Sequence, residues 1–200
     1  SRLHAALSGR RADHKTELLC GPAGAVQAAV EAGTDRVLAA VSGFAGMPPV
    51  VAALRAGIDV ALANKETLVS AGSLVKAAAA AGGARIIPVD SEHAAVFQCL
   101  QGKPVSADET IFLTCSGGPF FGRSRSDLAR VTVQDALAHP TWQMGRKISI
   151  DSATLMNKAL EVIEASVLFG AQADQIRVIV HRESIVHSMV SSWTARSSLS

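Results

Sequence analysis

The tripeptide Asp90-Ser91-Glu92 follows the apolar run Ile86-Ile87-Pro88-Val89, where a strand gives way to a helix. Two carboxylates at such a junction suit a hard divalent cation such as Mg²⁺, which takes oxygen ligands and usually draws only one or two from protein. They suit a helix start equally well, with Asp90 or Ser91 as the cap and Glu92 favouring the N-terminal dipole. Further on, Asn157, Lys158 and Glu161 share one helix at offsets of three and four residues, which brings an amide, an ammonium and a carboxylate onto one face. Such a face can bind a phosphorylated polyol and a metal together; it can also be a solvated salt bridge. Leu155, Met156, Ala159, Leu160, Val162 and Ile163 make the rest of that helix apolar, which predicts burial and a need for partners.

Other candidates carry weaker signals. Ser116-Gly117-Gly118 follows Ile111-Phe112-Leu113, and small residues there let backbone N–H groups approach an anion. His139, before Pro140, and His187, with Ser184 three residues earlier, are candidates for phosphate binding or proton transfer, although a lone histidine is more often structural. Trp142 and Met144 sit in a stretch with little regular pattern. An apolar pair in such a loop suits a lid that closes on a ligand, or a simple anchor to the body.

These residues must be held by elements that the periodicity suggests. Up to residue 90, short β-branched runs alternate with alanine-rich stretches, the pattern of βαβ units on a parallel sheet. Leu18-Leu19-Cys20 reads as a strand end, 21–33 as a helix, 36–41 as a strand, 48–57 as a helix, 58–63 as a strand, 66–81 as a helix closed by Gly82-Gly83, and 85–89 as a strand. Ser42-Gly43 and Asn64-Lys65 then fall along the carboxyl edge of the sheet, where open α/β sheets bind ligands. A helix over 93–100, a link, and a strand over 110–114 come next. The stretch 115–146 reads as a flap with one short helix at 133–138. A helix over 151–169, capped by Asp151 or Ser152 and stopped by Gly170, precedes strands at 177–180 and 185–190.

The fold class predicted is α/β: a parallel sheet with helices over 1–89, followed by α+β structure with a flap loop over 90–200. With 48% apolar and 18% charged residues, the 200-residue chain can bury a sizeable core. A net charge of +2 excludes the massed cations of a nucleic-acid binder. Cys20, Cys99 and Cys115 are too scattered for a disulfide framework or a zinc site. The uncharged run 37–54 is broken by glycines and by Pro48-Pro49, so no membrane span is expected.

Five strings, in this order, carry a resemblance: LANKETLVSAG at 62–72, PVDSEHAAVFQCL at 88–100, LTCSGGPF at 113–120, HPTWQMGRKISIDSATLMNKALEVIEA at 139–165 and HRESIVHSMV at 181–190. The chain resembles the 1-deoxy-D-xylulose-5-phosphate reductoisomerase family from about residue 17 to 190. That likeness implies that the two parts are a partial Rossmann-like domain over 1–89 and a catalytic domain over 90–200. It also implies an NADPH- and Mg²⁺- or Mn²⁺-dependent enzyme that makes 2-C-methyl-D-erythritol 4-phosphate in the non-mevalonate isoprenoid pathway, a homodimer, and a cytoplasmic location if the source is bacterial.

By the same resemblance Asp90, Glu92 and Glu161 hold the metal. Lys65, Ser91 and Asn157 contact substrate hydroxyls or lie beside the metal, and Ser116, Ser152, Asn157 and Lys158 form the phosphate pocket with His139, Ser184 and His187 near it. Lys65 and His139 are also expected in the catalytic set. Trp142 and Met144 cover the substrate and nicotinamide, and Ala40, Val41, Gly43, Asn64, Lys65, Glu66, Met144 and Gly145 line the cofactor. Two departures stand out: no Gly-rich dinucleotide fingerprint lies upstream, and from Ser191 onward the family pattern stops, suggesting a divergent tail. The chain therefore reads as a fragment, not expected to reduce substrate alone. Competing readings are a homoserine-dehydrogenase-like oxidoreductase, in which an Ala-Asn-Lys tripeptide also ends a nucleotide-domain strand, and an inactive phosphometabolite-binding module.

Overall fold

The computed structural model describes residues 17–139 and 143–192. Its first part is a parallel sheet of β1 (Arg36–Ala39), β2 (Asp59–Leu62) and β3 (Ile86–Pro88), in that order. Helices α1 (Gly21–Ala29), α2 (Met47–Arg55) and α3 (Lys65–Gly82) accompany it. Pro22 and the Pro48-Pro49 pair sit in the first turns of α1 and α2, where a missing N–H costs nothing and the fixed φ favours the helix. Asn64 caps α3 by accepting from the Thr67 N–H at 2.8 Å, and Gly83 closes it at φ 67°. Val50, Leu54, Val60, Leu62, Leu68 and Val75 are wholly buried between these elements. Each such side chain stabilises the fold by roughly 1.5–3 kcal/mol.

The second part is built on β4 (Glu109–Cys115), which pairs in parallel with β5 (Ile176–Val180) and antiparallel with β6 (Ser188–Ser192). Helices α4 (Ser91–Cys99) and α8 (Met156–Phe169) cover it over a core of Val96, Leu100, Ile111, Leu113, Phe169 and Ile176. Between β4 and α8 run three shorter helices, α5 (Arg125–Leu128), α6 (Val133–Leu137) and α7 (Arg146–Ala153). Leu168 on α8 packs against both cores. A Cβ on Gly72 of α3 would lie 2.8 Å from both methyls of Val167, so α3 and α8 approach closely there.

The α/β class and the parallel first sheet agree with the sequence pattern, while several boundaries do not. Helix α1 stops at Ala29 instead of residue 33, and β1 stops at Ala39 instead of residue 41. The Asn64 amide donates to the carbonyls of Val41 and Gly43 and pulls the chain out of the strand. Leu18-Leu19-Cys20 forms no strand. The helix expected over 151–169 is two helices, because Leu155 takes a left-handed φ of 59° between them. Asp151 and Ser152 consequently lie near the end of α7 and cap nothing. The flap holds two helices before residue 140 instead of one, each opened by a capping box, Ser124 with Asp127 and Thr132 with Asp135. The strand expected at 185–190 begins only at Ser188, because Ser184 turns at φ 51° and Thr114 Oγ1 donates to the Val186 carbonyl at 2.8 Å. Ser191 and Ser192, expected in a divergent tail, pair with Thr110 and Glu109. Among the described residues no helix is long and apolar enough to cross a membrane.

Candidate active site

Leu62 on β2 lies opposite Pro88 on β3, so the residues just past these strands meet. Lys65 leaves the first strand into α3, and Asp90 leaves the second into α4. The Lys65 ammonium lies 2.6 Å from Asp90 Oδ2, 3.2 Å from Glu161 Oε1 and 2.7 Å from Asn157 Oδ1. Asp90 occupies the helix-cap position without making a side-chain cap; its carboxylate serves the cluster instead. The Ser91 hydroxyl donates to Glu92 Oε2 at 2.8 Å, and Glu92 Oε1 faces Lys158 Nζ at 3.6 Å. Glu161 also accepts from Lys158 and from the Asn157 amide.

These are not surface ion pairs. Lys158, Glu161 and Glu164 are buried on α8, whereas Met156 and Ile163 on the same helix are about half exposed, contrary to the apolar burial that its composition predicts. The charged turn faces the cluster, Ala165, Leu168 and Phe169 pack into the cores, and the side bearing Met156 and Ile163 is left half exposed.

Electrostatics follow from this crowding. Burial alone would raise the Asp90 pKa, but the Lys65 ammonium overrides it and holds the group at about 2. Burial would lower the Lys65 pKa, yet Asp90 and Glu161 raise it. Glu92 is pushed up by burial and by the neighbouring carboxylates, against the pull of Lys158. Single ligand oxygens of Asp90, Glu92 and Glu161 all lie within 4.8 Å of one another. Trans ligands of a hard cation are about 4.2 Å apart at bond lengths of roughly 2.1 Å. Only one pair of three ligands can be trans, and cis ligands of an octahedral ion lie about 3.0 Å apart, so the carboxylates must draw together by up to about 2 Å to share a cation. An all-oxygen donor set is the chemistry Mg²⁺ and Mn²⁺ prefer.

A cavity of about 350 Å³ opens over this cluster. Lys65, Asp90, Ser91, Glu92, Asn157, Lys158 and Glu161 form one wall. Ser116, His139, Met144 and Ser152 also line the cavity, with Ser184 and His187 from the loop before β6. Ser116 Oγ lies 3.2 Å from His139 Nε2, and the Gly118 N–H points at the same hydroxyl at 3.3 Å. Burial and the nearby Arg182 lower the His139 pKa, which favours the neutral ring near neutral pH. Leu155 and Ser184, both with positive φ, line the rim, and non-glycine residues held there store strain of order 1–3 kcal/mol.

The expected cofactor residues divide. Lys65 and Met144 line the cavity, while Ala40, Val41, Gly43, Asn64, Glu66 and Gly145 lie outside it. Ala40 and Val41 are exposed past the end of β1, and the buried Asn64 tethers Val41 and Gly43 through their carbonyls. Glu66 pairs with Lys147 at 2.8 Å, which in turn pairs with Asp151 at 2.6 Å, tying α3 to α7. Gly145 precedes α7. Trp142 lies outside the described residues.

Sequence reasoning missed three polar groups. His93 and Glu164 are wholly buried behind the carboxylates; their signal was position, one residue past Glu92 and one helical turn past Glu161. Arg182 donates to the carbonyls of Ser116 (2.7 Å) and Gly118 (3.1 Å) and stacks over Phe121 at 4.8 Å, bracing the Ser-Gly-Gly loop from behind. No local pattern marks that long-range contact.

Comparison with known proteins follows the same outline. A family model described as 1-deoxy-D-xylulose 5-phosphate reductoisomerase matches residues 1–72, and one described as the C-terminal domain of that enzyme matches residues 86–169. The chain is 56% identical over 180 residues to the reductoisomerase of Desulfosudis oleivorans, covering 90% of this chain and 47% of that protein. It is 53% identical over 188 residues to that of Symbiobacterium thermophilum, covering 94% and 48%. It thus spans about half the length of these relatives. Among solved structures, a reductoisomerase in complex with NADPH, fosmidomycin and magnesium superposes with a TM-score of 0.87 at 41% identity, covering 96% of this chain and 49% of the other. The Zymomonas mobilis enzyme in complex with NADPH does so with a TM-score of 0.82 at 43% identity, covering 96% and 48%.

Proposed function

The chain belongs to the 1-deoxy-D-xylulose 5-phosphate reductoisomerase family, and on that premise we propose that its complete gene product converts 1-deoxy-D-xylulose 5-phosphate to 2-C-methyl-D-erythritol 4-phosphate. The observation that carries this reading is the convergence of Asp90, Glu92 and Glu161 within 4.8 Å beside one polar cavity. When bound, Mg²⁺ or Mn²⁺ supplies Lewis acidity at the substrate ketone and NADPH supplies the hydride.

The chain's own residues do the rest. Asp90, Glu92 and Glu161 hold the cation. Lys65, Ser91 and Asn157 orient the substrate hydroxyls, with Lys65 offering an ammonium where negative charge develops on oxygen. Ser116 and Ser152, with Ser184, His139 and His187 around them, receive the phosphate. Lys158 turns to that phosphate once the carboxylates are committed to a cation. Phosphate contacts are remote from the bonds that change, so their binding energy can close the segment bearing Trp142 and Met144 and exclude water. Ala40, Val41, Gly43, Asn64, Glu66 and Gly145 form the cofactor side, at the carboxyl edge of the parallel sheet. The division into a nucleotide-binding part over 1–89 and a catalytic part over 90–200, the homodimer, the cytoplasmic location and a place in isoprenoid synthesis belong to the same reading.

The test is an assay of the complete gene product. NADPH oxidation should require both deoxyxylulose phosphate and Mn²⁺, stop with EDTA, and yield methylerythritol phosphate. Oxidation driven by aspartate semialdehyde instead would turn the assignment to a homoserine-dehydrogenase-like enzyme. Binding of the sugar phosphate without turnover would leave a silent binding module.

A further inference from the structure

We propose that Glu164, acting through His93, is a positioning residue that sets the spacing of the three-carboxylate cluster; this rests on the reading of that cluster as a cation site. His93 and Glu164 are at most 1% exposed. His93 Nε2 lies 2.9 Å from the main-chain carbonyl of Glu161. A carbonyl only accepts, so Nε2 carries the hydrogen. In the neutral ring Nδ1 is then a bare acceptor, and it faces Glu164 Oε2 at 3.6 Å. Neither Nδ1 nor Oε2 has a hydrogen-bond partner; Asp90 Oδ1 also faces Nδ1, from 4.0 Å. Buried polar atoms left this way are costly, and a contraction of well under 1 Å, with one proton between them, satisfies both.

The consequence is mechanical. Asp90, Glu92 and His93 start helix α4, while Glu161 and Glu164 lie on α8. The imidazole is the bridge, grasping the α8 backbone at the ligand residue Glu161 while sitting next to the ligand residue Glu92. The Glu161 carbonyl fixes the ring's tautomer and Glu164 its tilt, and with them the distance between the carboxylates of the two helices. Groups that orient metal ligands from behind typically contribute ten- to a hundred-fold in affinity. The side chains Asp90, His93 and Glu164 also have ligand atoms within 4.8 Å of one another, which makes a second cation the competing use of the same groups.

Mn²⁺ titration of the complete gene product, read by calorimetry or electron paramagnetic resonance, separates these uses. One Mn²⁺ per chain is expected for the wild type. Glu164→Gln, which can still donate to Nδ1, should bind within about three-fold of wild type. Glu164→Leu should bind about ten- to a hundred-fold more weakly without a lower melting temperature in EDTA, so that the loss is not general damage to the fold. If Glu164→Leu does not fold, Glu164→Met, of matching length, takes its place. Equal affinity in Glu164→Leu and wild type, a Gln variant as weak as the Leu variant, or two Mn²⁺ per wild-type chain would each overturn the proposal. A wild type that binds no Mn²⁺ would overturn the cation-site reading beneath it.

Discussion

On α8 a lysine and two glutamates are buried while two large apolar residues face solvent, an arrangement that wastes apolar burial unless the charges are used. Lys158 makes the first test of that use. A charge-assisted hydrogen bond contributes roughly 1.5–3 kcal/mol, so in the complete gene product Lys158→Ala should raise KM for the phosphorylated substrate about ten- to a hundred-fold. The value of kcat should fall too if phosphate binding closes the flap. Steady-state kinetics with both parameters unchanged would return Lys158 to a merely structural ion pair. Glu164 makes the second. Burial, then the like charge of Asp90, pushes its pKa from 4.5 up to about 8. The folded state therefore keeps a proton that the unfolded chain releases above 4.5, and this group's contribution to stability declines as pH rises from about 4.5 to 8. Glu164→Gln cannot titrate, so in EDTA its stability relative to wild type should increase steadily between pH 5 and 8. Parallel curves from urea denaturation would contradict that. At this scale the sequence revealed residue types well: Asp90, Glu92, Asn157, Lys158 and Glu161 stand out by chemistry and spacing. It concealed His93, Glu164 and Arg182, whose partners lie on other elements and leave no periodic trace.

The elements decide whether those residues meet, and two junctions carry most of the positioning. Gly118 has φ 68°, and a Cβ there would sit 2.8 Å from the Ser152 carbonyl oxygen, backbone that cannot swing aside. Gly118→Ala should therefore displace the Ser116–Gly118 loop from α7, cost about 1–3 kcal/mol, and raise KM for the sugar phosphate more than KM for NADPH. Equal effects on both would mean general loosening. Asn64 is the second junction. Its Oδ1 accepts at the start of α3, and its Nδ2 donates to Val41 and Gly43 past β1. Asn64→Ala should lower stability by about 0.5–2 kcal/mol for the cap alone and raise KM for NADPH. Asn64→Asp, which keeps the acceptor and loses the donors, should raise that KM without losing the cap; an Asp variant with wild-type KM would detach the tether from cofactor binding. Element types were legible where periodicity ran unbroken, as in β4; α3 is helical as expected but kinks at Ala71, whose φ of −141° and ψ of 28° leave the helical range. The break at Leu155 was not, because a left-handed leucine is imposed by tertiary contacts against its own preference. The capping boxes at Ser124 and Thr132 were readable local signals inside a stretch otherwise taken as flap.

Besides the α3–α8 contact and the Lys147–Glu66 pair between α7 and α3, the charge cluster joins the two parts of the molecule, so it is also where they are coupled. The alternation of β-branched and alanine-rich segments announced the parallel sheet, because its period is local. The second sheet was harder to foresee: β4 pairs with β5 some sixty residues away and antiparallel with β6, and no local pattern encodes such register. A cation held by Asp90 and Glu92 on one side and Glu161 on the other would tie α4 to α8 and, through Lys65, to α3. A ligand that binds only the folded state stabilises it by about 2.7 kcal/mol at a hundred times its dissociation constant. For a chain of this size that corresponds to a rise in melting temperature of roughly 5–10 °C. Mn²⁺ at that excess should produce such a shift in the wild type, and Glu161→Gln should abolish it at the same concentration. Because Glu161 is 1% exposed and accepts from both Lys65 and Lys158, the Gln variant should also melt lower in EDTA, with two buried ammonium groups short of a counter-charge. A Gln variant that melts like the wild type in EDTA and still gains stability from Mn²⁺ would show that Glu161 neither balances those lysines nor binds the cation.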